Sequence, residues 1–512
     1  MEQLEADAVV IGGGHNGLAC AAYLAEAGRS VIVLERSDVL GGATRSERVF
    51  PAYDARLSSY SYLVSLLPEL IVDELGLDVV LRRRRYASFT PTEDGGILLD
   101  DDDPAASRAQ LGVDADAWDE LAALTMTVAS RVFSSLTEPL VDADSLRRRV
   151  GDDTAWRELF ERPIGEALER RFTRDALRGT VLTDGLIGTF AHAHELAANR
   201  CFLYHVIGRG TGYWDVPIGG MGAVSGALAA AASGRGAELR TGAEVVALRP
   251  DRHRVTVELG DGTTVRAGQA FANVAPAVLA RLLGDQPSSS SSSSARPEGA
   301  QVLPEGAQVK LNMLVSRLPQ LRCTEVRPEQ AFAGTLHVNE GYGQLERAYR
   351  QAAAGRVPEA VPCEVYCHSL SDPSILGPDL QAAGVHTMTV FALHLPERLF
   401  RDDPAHRLEE AGGKILASRD SVLAEPIEAC LLAPDCIDVV GPHELEQRLG
   451  MPGGNIFHRE LQWPFAEEPA DVGRWGVETP HPNVFVCGAG ARRGGGVSAI
   501  PGRNAAMAAL AL

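Results

Sequence analysis

Hydrophobic residues near the N-terminus follow patterns that predict a strand, a helix and a second strand in succession. Residues 7–11 form an apolar run typical of a strand buried on both faces. A glycine-rich turn at 12–17 precedes the Ala- and Leu-rich segment 18–27, which predicts a helix. A second apolar run, 31–34, leads directly to Glu35. The pattern therefore predicts a compact βαβ unit.

The turn between the first strand and the helix has glycine where a phosphate ligand needs it. Gly12 permits the tight turn, Gly14 lets backbone approach a pyrophosphate, and Gly17 lets the helix pack close to the strand. The helix N-terminus offers N–H groups and partial positive charge to the phosphates. Glu35 can accept hydrogen bonds from ribose hydroxyls. The unit predicts a bound dinucleotide; the alternative is a glycine-rich turn without a ligand.

Two further regions differ in the period of their hydrophobic residues. Residues 105–205 are mostly helical in pattern, whereas 244–271 alternate as strands around a hairpin turn at Asp261-Gly262. Residues 308–316 and 385–394 also alternate, which predicts half-buried strands. The chain thus combines a dinucleotide-binding unit with a second region of strands and helices.

The C-terminal region repeats the order of strand and glycine turn. Residues 481–490 predict a turn, a buried strand and a glycine turn, and a second glycine cluster follows at 494–497. Small residues from about 503 to 512 then predict a helix. A helix N-terminus here would stabilise negative charge on a bound cofactor.

Five motifs together carry a family resemblance. They are GGGHNGL at 12–18, LGGA at 40–43, GGMGAV at 219–224, LGMPGGNI at 449–456 and RGGGV at 493–497. As a set they resemble phytoene-desaturase-like FAD oxidoreductases of the amine oxidase superfamily. The closest branch is often labelled pyridine nucleotide-disulfide oxidoreductase domain-containing protein, and carotenoid isomerases and desaturases are its relatives. The resemblance covers nearly the whole chain.

The resemblance implies a cofactor, an activity and a fold class. The cofactor is FAD, because the glycine pair Gly41-Gly42 shortly after Glu35 resembles the extended FAD fingerprint. The activity is that of an FAD-dependent oxidoreductase. The fold class is α/β: a Rossmann-like FAD-binding domain of the amine oxidase type, with an α+β substrate domain of a sheet and helices. The implied cofactor-binding residues are Gly12, Gly14, His15, Asn16, Gly17, Glu35, Arg36, Gly41, Gly42, Ala43, Val245, Gly488, Gly495, Gly496 and Val497.

The same resemblance implies that the FAD-binding domain is discontinuous. The backbone at Val245 is expected to hold the adenine. A polar serine tract is expected to form a flexible surface loop, because it cannot bury a core. The expected segments are 1–80, 215–290 and 478–512 for the FAD-binding domain, 81–214 and 300–477 for the substrate domain, and 287–299 for the Ser-rich loop.

Dithiol chemistry and a second nucleotide site are not expected, despite the family label. Cys20 is the sole cysteine among the first 200 residues, and the eight cysteines form no CxxC pair. Gly220-Met221-Gly222 is the one candidate for a second nucleotide turn, but the strand after it, at 237–240, ends without an acidic ribose partner.

Charge and hydropathy exclude several classes of partner. The chain of 512 residues carries a net charge of −20, which disfavours nucleic acid and anionic membranes. Its apolar runs are shorter than the roughly 18 residues of a membrane span, and its acidic N-terminus lacks a signal-peptide pattern. We expect a cytoplasmic protein, and the sequence leaves open whether it forms a homo-oligomer. The basic run 82–85 is expected to face the acidic run 100–103.

Candidate catalytic residues are few. His205 could line the flavin face, and the alternative is a packed or capping histidine. Arg493 replaces the proline usual in carotenoid enzymes, so a cation near the flavin could suit a polar or anionic substrate; the alternative is a surface arginine. No metal site is expected, because His192 and His194 are two residues apart and lack a third ligand nearby.

The sequence leads to one main hypothesis and two alternatives. The main hypothesis is dehydrogenation, by desaturation or oxidation, of a largely apolar and lipophilic small molecule, with electrons passed to oxygen or a quinone. The alternatives are a redox-neutral FAD-dependent isomerase and a non-catalytic regulatory flavoprotein.

Overall fold

The computed structural model describes residues 2–93, 95–284 and 305–512. The Ser-rich loop predicted at 287–299 lies outside these residues. Within them, no helix combines the length and the apolar character needed to cross a membrane.

Strands and helices occur along the whole chain. The strands are β1 (Gln3–Ile11), β2 (Val31–Leu34), β3 (Ser46–Glu47), β4 (Leu57–Ser58), β5 (Leu81–Arg82), β6 (Tyr86–Thr92), β7 (Gly95–Asp100), β8 (Val216–Pro217), β9 (Glu238–Arg240), β10 (Val245–Pro250), β11 (Val255–Leu259), β12 (Thr264–Ala272), β13 (Val309–Val315), β14 (Thr335–Val338), β15 (Cys363–Tyr366), β16 (His386–Ala392), β17 (Ile437–Val440) and β18 (Val484–Val486). The helices are α1 (His15–Glu26), α2 (Glu69–Leu75), α3 (Pro104–Leu111), α4 (Ala115–Val132), α5 (Ala143–Val150), α6 (Asp153–Trp156), α7 (Ile164–Arg171), α8 (Asp175–Thr183), α9 (Leu196–Val206), α10 (Met221–Gly234), α11 (Pro276–Leu283), α12 (Pro328–Ala333), α13 (Tyr342–Ala353), α14 (His368–Ser371), α15 (Pro378–Ala382), α16 (Pro404–Asp420), α17 (Pro442–Leu449) and α18 (Ile500–Leu510).

The first sheet joins strands from three distant parts of the chain. Its strand order is β10-β11-β12-β1-β2-β9, and β18 also pairs with β12. β1 runs parallel to β2 and to β12, and β18 runs parallel to β12, so these strands end at the same edge of the sheet. The predicted βαβ unit and the predicted C-terminal strand therefore meet at one edge. The division of the chain into two domains stays a prediction.

The C-terminal helix packs directly against the first helix. A Cβ atom on Gly502 of α18 would lie 2.0 Å from the carbonyl oxygen of Asn16 in α1, so a side chain at this position would prevent the contact. This packing fixes the end of the chain next to the glycine turn that begins α1.

The second sheet is built mainly from antiparallel pairs. Its strand order is β17-β13-β16-β15-β14-β6-β7, and β14 and β6 form a parallel pair. The alternation in 308–316 predicts a half-buried strand, but every residue of β13 is buried. The polar positions Lys310 and Asn312 are therefore inside the protein, and they need partners there.

Lys310 connects the second sheet to the segment that follows β4. Its Nζ atom donates to the carbonyl oxygens of Ser58, at 2.8 Å, and Tyr60, at 2.9 Å. Burial lowers the pKa of Lys310 to about 7. The ammonium group thus loses its proton far more easily in the folded chain than in the unfolded chain.

We expect Lys310 to make the stability of the protein depend on pH. Because its pKa is about 7 folded and near 10.4 unfolded, the unfolded chain binds the extra proton between these values. We subtract the free energy of unfolding of Lys310→Met from that of the wild type. This difference should increase as the pH rises between the two pKa values, by up to ~1.4 kcal/mol per pH unit. Below pH 7, the loss of stability caused by burying the protonated Lys310 side chain should reach its full size.

Chemical denaturation of both proteins across this pH range measures the difference. Lys414→Met is the matched control for the loss of a lysine side chain, because Lys414 lies on α16 and is half-buried. A difference that stays constant with pH would contradict the prediction.

Candidate functional site

A cavity of about 630 Å³ lies at the carboxyl ends of β1 and β2. Ile11 and Leu34, the last residues of the two strands, line it together with the glycine turn and Glu35. In open α/β sheets, ligands bind at this edge of the strands.

Close backbone packing gives the glycine turn its shape. Gly12 has a φ of +100°, and a Cβ atom on it would lie 2.7 Å from the carbonyl oxygen of Asn273. A Cβ atom on Gly17 would lie 2.2 Å from the carbonyl oxygen of Gly12. Glycine is therefore required at both positions. Gly14 lines the cavity, as Gly12 does, and a Cβ atom on Gly14 would lie 3.0 Å from Asn273 Nδ2, so its missing side chain leaves this part of the wall open.

Two backbone donors hold the Glu35 carboxylate in the cavity wall. The N–H of Gly13 donates to Oε2 at 2.7 Å, and the N–H of Ser37 donates to Oε1 at 2.8 Å. A carboxylate can accept about four hydrogen bonds, so both oxygens can still accept one from ribose hydroxyls.

The segment around Gly41 lies against the glycine turn. The N–H of Gly41 donates to the carbonyl oxygen of Gly13 at 2.9 Å, and Gly41 has a φ of +113°. Gly42 and Ala43 continue from it into the cavity wall. This backbone hydrogen bond therefore holds the segment around Gly41 beside the cavity, as the sequence predicted.

The C-terminal glycine cluster reaches the cavity through His15. The His15 Nε2 atom lies 3.2 Å from the carbonyl oxygen of Gly496. Burial lowers the pKa of His15 to about 4, so the ring is neutral and its Nε2–H donates to that carbonyl. This hydrogen bond joins the two ends of the chain.

The predicted cofactor residues fall into two groups. Gly17, Gly41, Gly488 and Gly495 are not part of the cavity lining; Gly488, for example, packs on Asn273. Their role in the structure is to let the backbone of the wall pack closely. The predicted residues that do line the cavity are Gly12, Gly14, His15, Asn16, Glu35, Arg36, Gly42, Ala43, Val245, Gly496 and Val497.

Sequence reasoning missed Asn273, which lies directly after β12. Its Nδ2 atom donates to the carbonyl oxygen of Gly12 at 3.0 Å, and its side chain lines the cavity. The sequence shows that Asn273 follows a predicted strand, but its place beside the glycine turn depends on the pairing of β12 with β1. Arg45, Arg281 and Arg448 also line the cavity and were missed, because no motif marks them.

The residues of this cavity fit a dinucleotide. Asn16 lines it, and its buried Oδ1 atom has no hydrogen-bond partner among the described residues. Unsatisfied polar atoms are rare in protein interiors, so a ligand is the natural partner. The N-terminus of α1, the missing side chain of Gly14 and the Glu35 carboxylate add sites for phosphate and ribose.

A second cavity, of about 290 Å³, adjoins the first. The side chains that line both cavities are those of Tyr62, Leu63, Ile187, His205 and Trp214. Much of the second cavity is apolar, with Leu121, Val181 and Phe202 among its lining residues. Its polar lining includes Arg84, Asp184, His337 and Glu364.

His205 has a defined orientation in the shared wall. Its Nδ1 atom lies 2.9 Å from the carbonyl oxygen of Cys201, so Nδ1 carries the proton and donates. The Trp214 indole stacks on the ring and donates to the His205 carbonyl oxygen at 3.0 Å. In the neutral ring, Nε2 therefore holds the lone pair and can accept a proton.

Arg493 does not occupy the position that the sequence hypothesis gave it. The side chain is buried, and its guanidinium donates to the carbonyl oxygens of Ser135, Glu138 and Trp475. It is not part of the lining of either cavity. The hypothesis of a cation beside the substrate is therefore wrong for Arg493, because backbone carbonyls bind its guanidinium elsewhere.

The basic run 82–85 is divided between two roles. Arg85 pairs with Asp100 at 2.8 Å, as the charge pattern predicts. Arg83 pairs instead with Asp215 at 2.7 Å, and Arg84 lines the second cavity. The sequence expectation missed Arg84, because a run of like charges usually lies in solvent.

Comparison with known proteins places this geometry in a family. The model of the family described as flavin containing amine oxidoreductase matches residues 17–326. An uncharacterized protein of Mycobacterium tuberculosis is 47% identical over 534 residues, which cover 99% of this chain and 97% of the relative. Pyridine nucleotide-disulfide oxidoreductase domain-containing protein 2 of Mus musculus is 30% identical over 560 residues, covering 98% and 93%.

Solved structures share the fold. Putrescine oxidase in its wild-type form, bound to putrescine, is 19% identical and aligns with a TM-score of 0.58 over 100% of both chains. This similarity confirms the α/β fold that the sequence motifs predicted.

We predict a fixed order of FAD affinity for variants of the glycine turn. Glu35→Gln removes the negative charge and places an amide opposite the N–H groups of Gly13 and Ser37. This change should cost about 1–2 kcal/mol, or roughly tenfold in affinity. Glu35→Ala should bind more weakly still, and Gly14→Val most weakly, because its side chain would enter the cavity.

Titration of FAD into each apoprotein measures the order. Glu26→Gln is the matched control, because it makes the same change at an exposed residue of α1. Equal affinity in the wild type and all three variants would contradict FAD binding at this turn.

We expect Arg493 to stabilise the fold and to leave substrate selectivity unchanged. Arg493→Lys keeps the charge but loses the planar fork that reaches three carbonyls. The free energy of unfolding should fall by about 2 kcal/mol. Chemical denaturation measures this loss, with Arg474→Lys, a more exposed arginine nearby, as the control. A stable Arg493→Lys variant with altered substrate selectivity would restore the original hypothesis.

Proposed function

The chain belongs to the flavin containing amine oxidoreductase family and is an FAD-dependent oxidoreductase, and we propose that it dehydrogenates a largely apolar small molecule with a polar group. The observation that carries the proposal is the second cavity. It adjoins the dinucleotide cavity, and it combines apolar walls with a group of charged side chains.

FAD would be held by the glycine turn, Glu35, Val245 and the Gly496-Val497 segment, and when bound it accepts two electrons from a C–H or N–H bond. The apolar side chains of the second cavity would exclude water from the reacting bond. The polar group of the substrate would lie at Arg84, Asp184 and Glu364, which would fix the orientation of the molecule.

This proposal modifies the substrate expected from the sequence. A pure hydrocarbon would displace water from the polar side chains of the second cavity and offer them no hydrogen bond in return, at a cost in free energy. A molecule with an apolar body and a polar group satisfies both parts of the lining. We propose oxygen or a quinone as the electron acceptor.

Anaerobic mixing tests the reaction type and the substrate class together. The purified FAD-loaded protein is mixed with matched pairs of molecules that share an apolar body and differ by an amine, hydroxyl or carboxylate group. Loss of the absorption of oxidised flavin with the polar member of a pair supports the proposal. Equal loss with the hydrocarbon member contradicts the role of the charged side chains. Turnover without net loss of oxidised flavin supports the isomerase instead.

We predict that His205 accepts the substrate proton. His205→Gln keeps a hydrogen-bonding side chain in the shared wall but removes the basic nitrogen. The rate of flavin reduction should fall by about 10² or more, with FAD content unchanged. His192→Gln is the control, because His192 pairs with Glu195 at 3.0 Å and lines neither cavity.

The pH profile separates this role from a structural one. The dependence of the flavin-reduction rate on pH should differ between the wild type and His205→Gln, as measured by stopped-flow reduction under anaerobic conditions. A variant with the wild-type rate and profile would show that His205 only packs against Trp214.

A further inference from the structure

We propose that His337, Glu340 and Glu364 form a binding site for a divalent transition-metal ion beside the second cavity. His337 and Glu364 line that cavity, and all three side chains are buried. The sequence predicted no metal site, since His192 and His194 lack a third ligand nearby, and no motif marks His337, Glu340 or Glu364. The inference does not depend on the proposed substrate.

Strand pairing brings two of the three residues together. His337 of β14 and Glu364 of β15 are directly opposite in an antiparallel pair, so their side chains point to the same face of the sheet. β14 then ends, and Asn339 adopts a φ of +55°, which is uncommon for a residue other than glycine. The chain reverses at this residue and places Glu340 beside His337.

The donor atoms are close enough to share one ion. One ligand atom from each residue lies within 4.8 Å of the other two. The His337 Nδ1 atom lies 2.5 Å from Glu340 Oε2. Metal–ligand distances of about 2.0–2.2 Å place neighbouring donors roughly 3 Å apart, so small side-chain shifts would complete the site.

The polar atoms around the cluster point to a missing ligand. The Glu340 side chain is fully buried, and its Oε1 atom has no hydrogen-bond partner among the described residues. The Tyr366 hydroxyl donates to Glu364 and orients its carboxylate, as outer partners of metal ligands commonly do. An ion bound by Glu340 would satisfy the unpaired oxygen.

The charges beside the second cavity favour a divalent cation. Asp101, Asp184 and Glu364 are carboxyl groups in the lining, Glu340 lies beside Glu364, and Arg83 and Arg84 are the cations of the same lining. The Arg84 guanidinium donates to the Trp214 carbonyl oxygen at 3.3 Å and to the Thr335 hydroxyl at 3.1 Å. Carboxyl groups outnumber cations around this cavity, so a divalent ion bound by Glu340 and Glu364 would balance part of the excess.

The donor set indicates the class of ion. One imidazole and two carboxylates suit Zn²⁺, Fe²⁺ or Mn²⁺, whereas Mg²⁺ and Ca²⁺ favour oxygen ligands alone and Cu(I) favours sulfur. The adjoining cavity would supply the remaining ligands, either water or a polar group of the substrate.

Mn²⁺ is the probe for the test, because the FAD-loaded protein with oxidised flavin gives no competing paramagnetic signal. Equilibrium dialysis should give one Mn²⁺ per wild-type chain. Pulsed paramagnetic resonance should then show coupling to one imidazole nitrogen. Absence of binding, or binding without nitrogen coupling, overturns the proposal from the wild type alone.

Variants assign the ligands. Glu340→Gln should weaken Mn²⁺ binding at least tenfold, and His337→Gln should abolish the nitrogen coupling. Asp101→Asn is the matched control, because Asp101 lines the same cavity but is not one of the three residues. Persistence of the coupling in His337→Gln overturns the assignment.

FAD content and circular dichroism show whether each variant is folded. If both variants fail to fold, the number of Mn²⁺ ions and the nitrogen coupling of the wild type still decide the result. If the three residues form a cluster of protonated carboxyl groups without a metal, the wild type will bind no Mn²⁺. If the wild type binds no Mn²⁺, the flavin-reduction experiment can still support the proposed function. The two proposals can therefore fail independently.

Discussion

The close approach of backbone at the glycine turn is the constraint on which the rest of the site depends. The carbonyl oxygen of Gly12 lies where a side chain on Gly17 would be, and the carbonyl oxygen of Asn273 lies where a side chain on Gly12 would be. These contacts hold β1, α1 and β12 at one edge of the sheet. Because the backbone itself forms this wall, Gly14 and Glu35 face the cavity without long side chains between them.

Buried polar side chains attach distant segments to this edge. Lys310 donates to two carbonyls after β4, and Arg493 donates to three carbonyls on other segments. In both cases a buried basic side chain donates to backbone oxygens rather than to a carboxylate. Such bonds satisfy carbonyls in irregular segments that cannot pair in a sheet. They therefore fix these irregular segments in the fold.

The shared wall between the two cavities connects cofactor binding with substrate chemistry. His205 and Trp214 belong to this wall, and the Cys201 carbonyl sets which ring nitrogen of His205 is free to accept a proton. The second cavity also has a polar region, which includes Arg84, Asp184 and Glu364. The proposed reaction thus depends on this shared wall as well as on the dinucleotide motif.

The sequence by itself determined the βαβ unit, the FAD fingerprint and the class of fold, because these features depend on local hydrophobic period and on glycine at fixed spacing. Tertiary structure alone decided the rest. Asn273 reaches the glycine turn because β12 pairs with β1, and His337 meets Glu364 because β14 pairs with β15. Arg493 illustrates the limit of local reasoning: its position next to a glycine motif indicated a site role, but its partners come from residues 135, 138 and 475. Long-range pairing sets such contacts, and no local pattern of residue types encodes them.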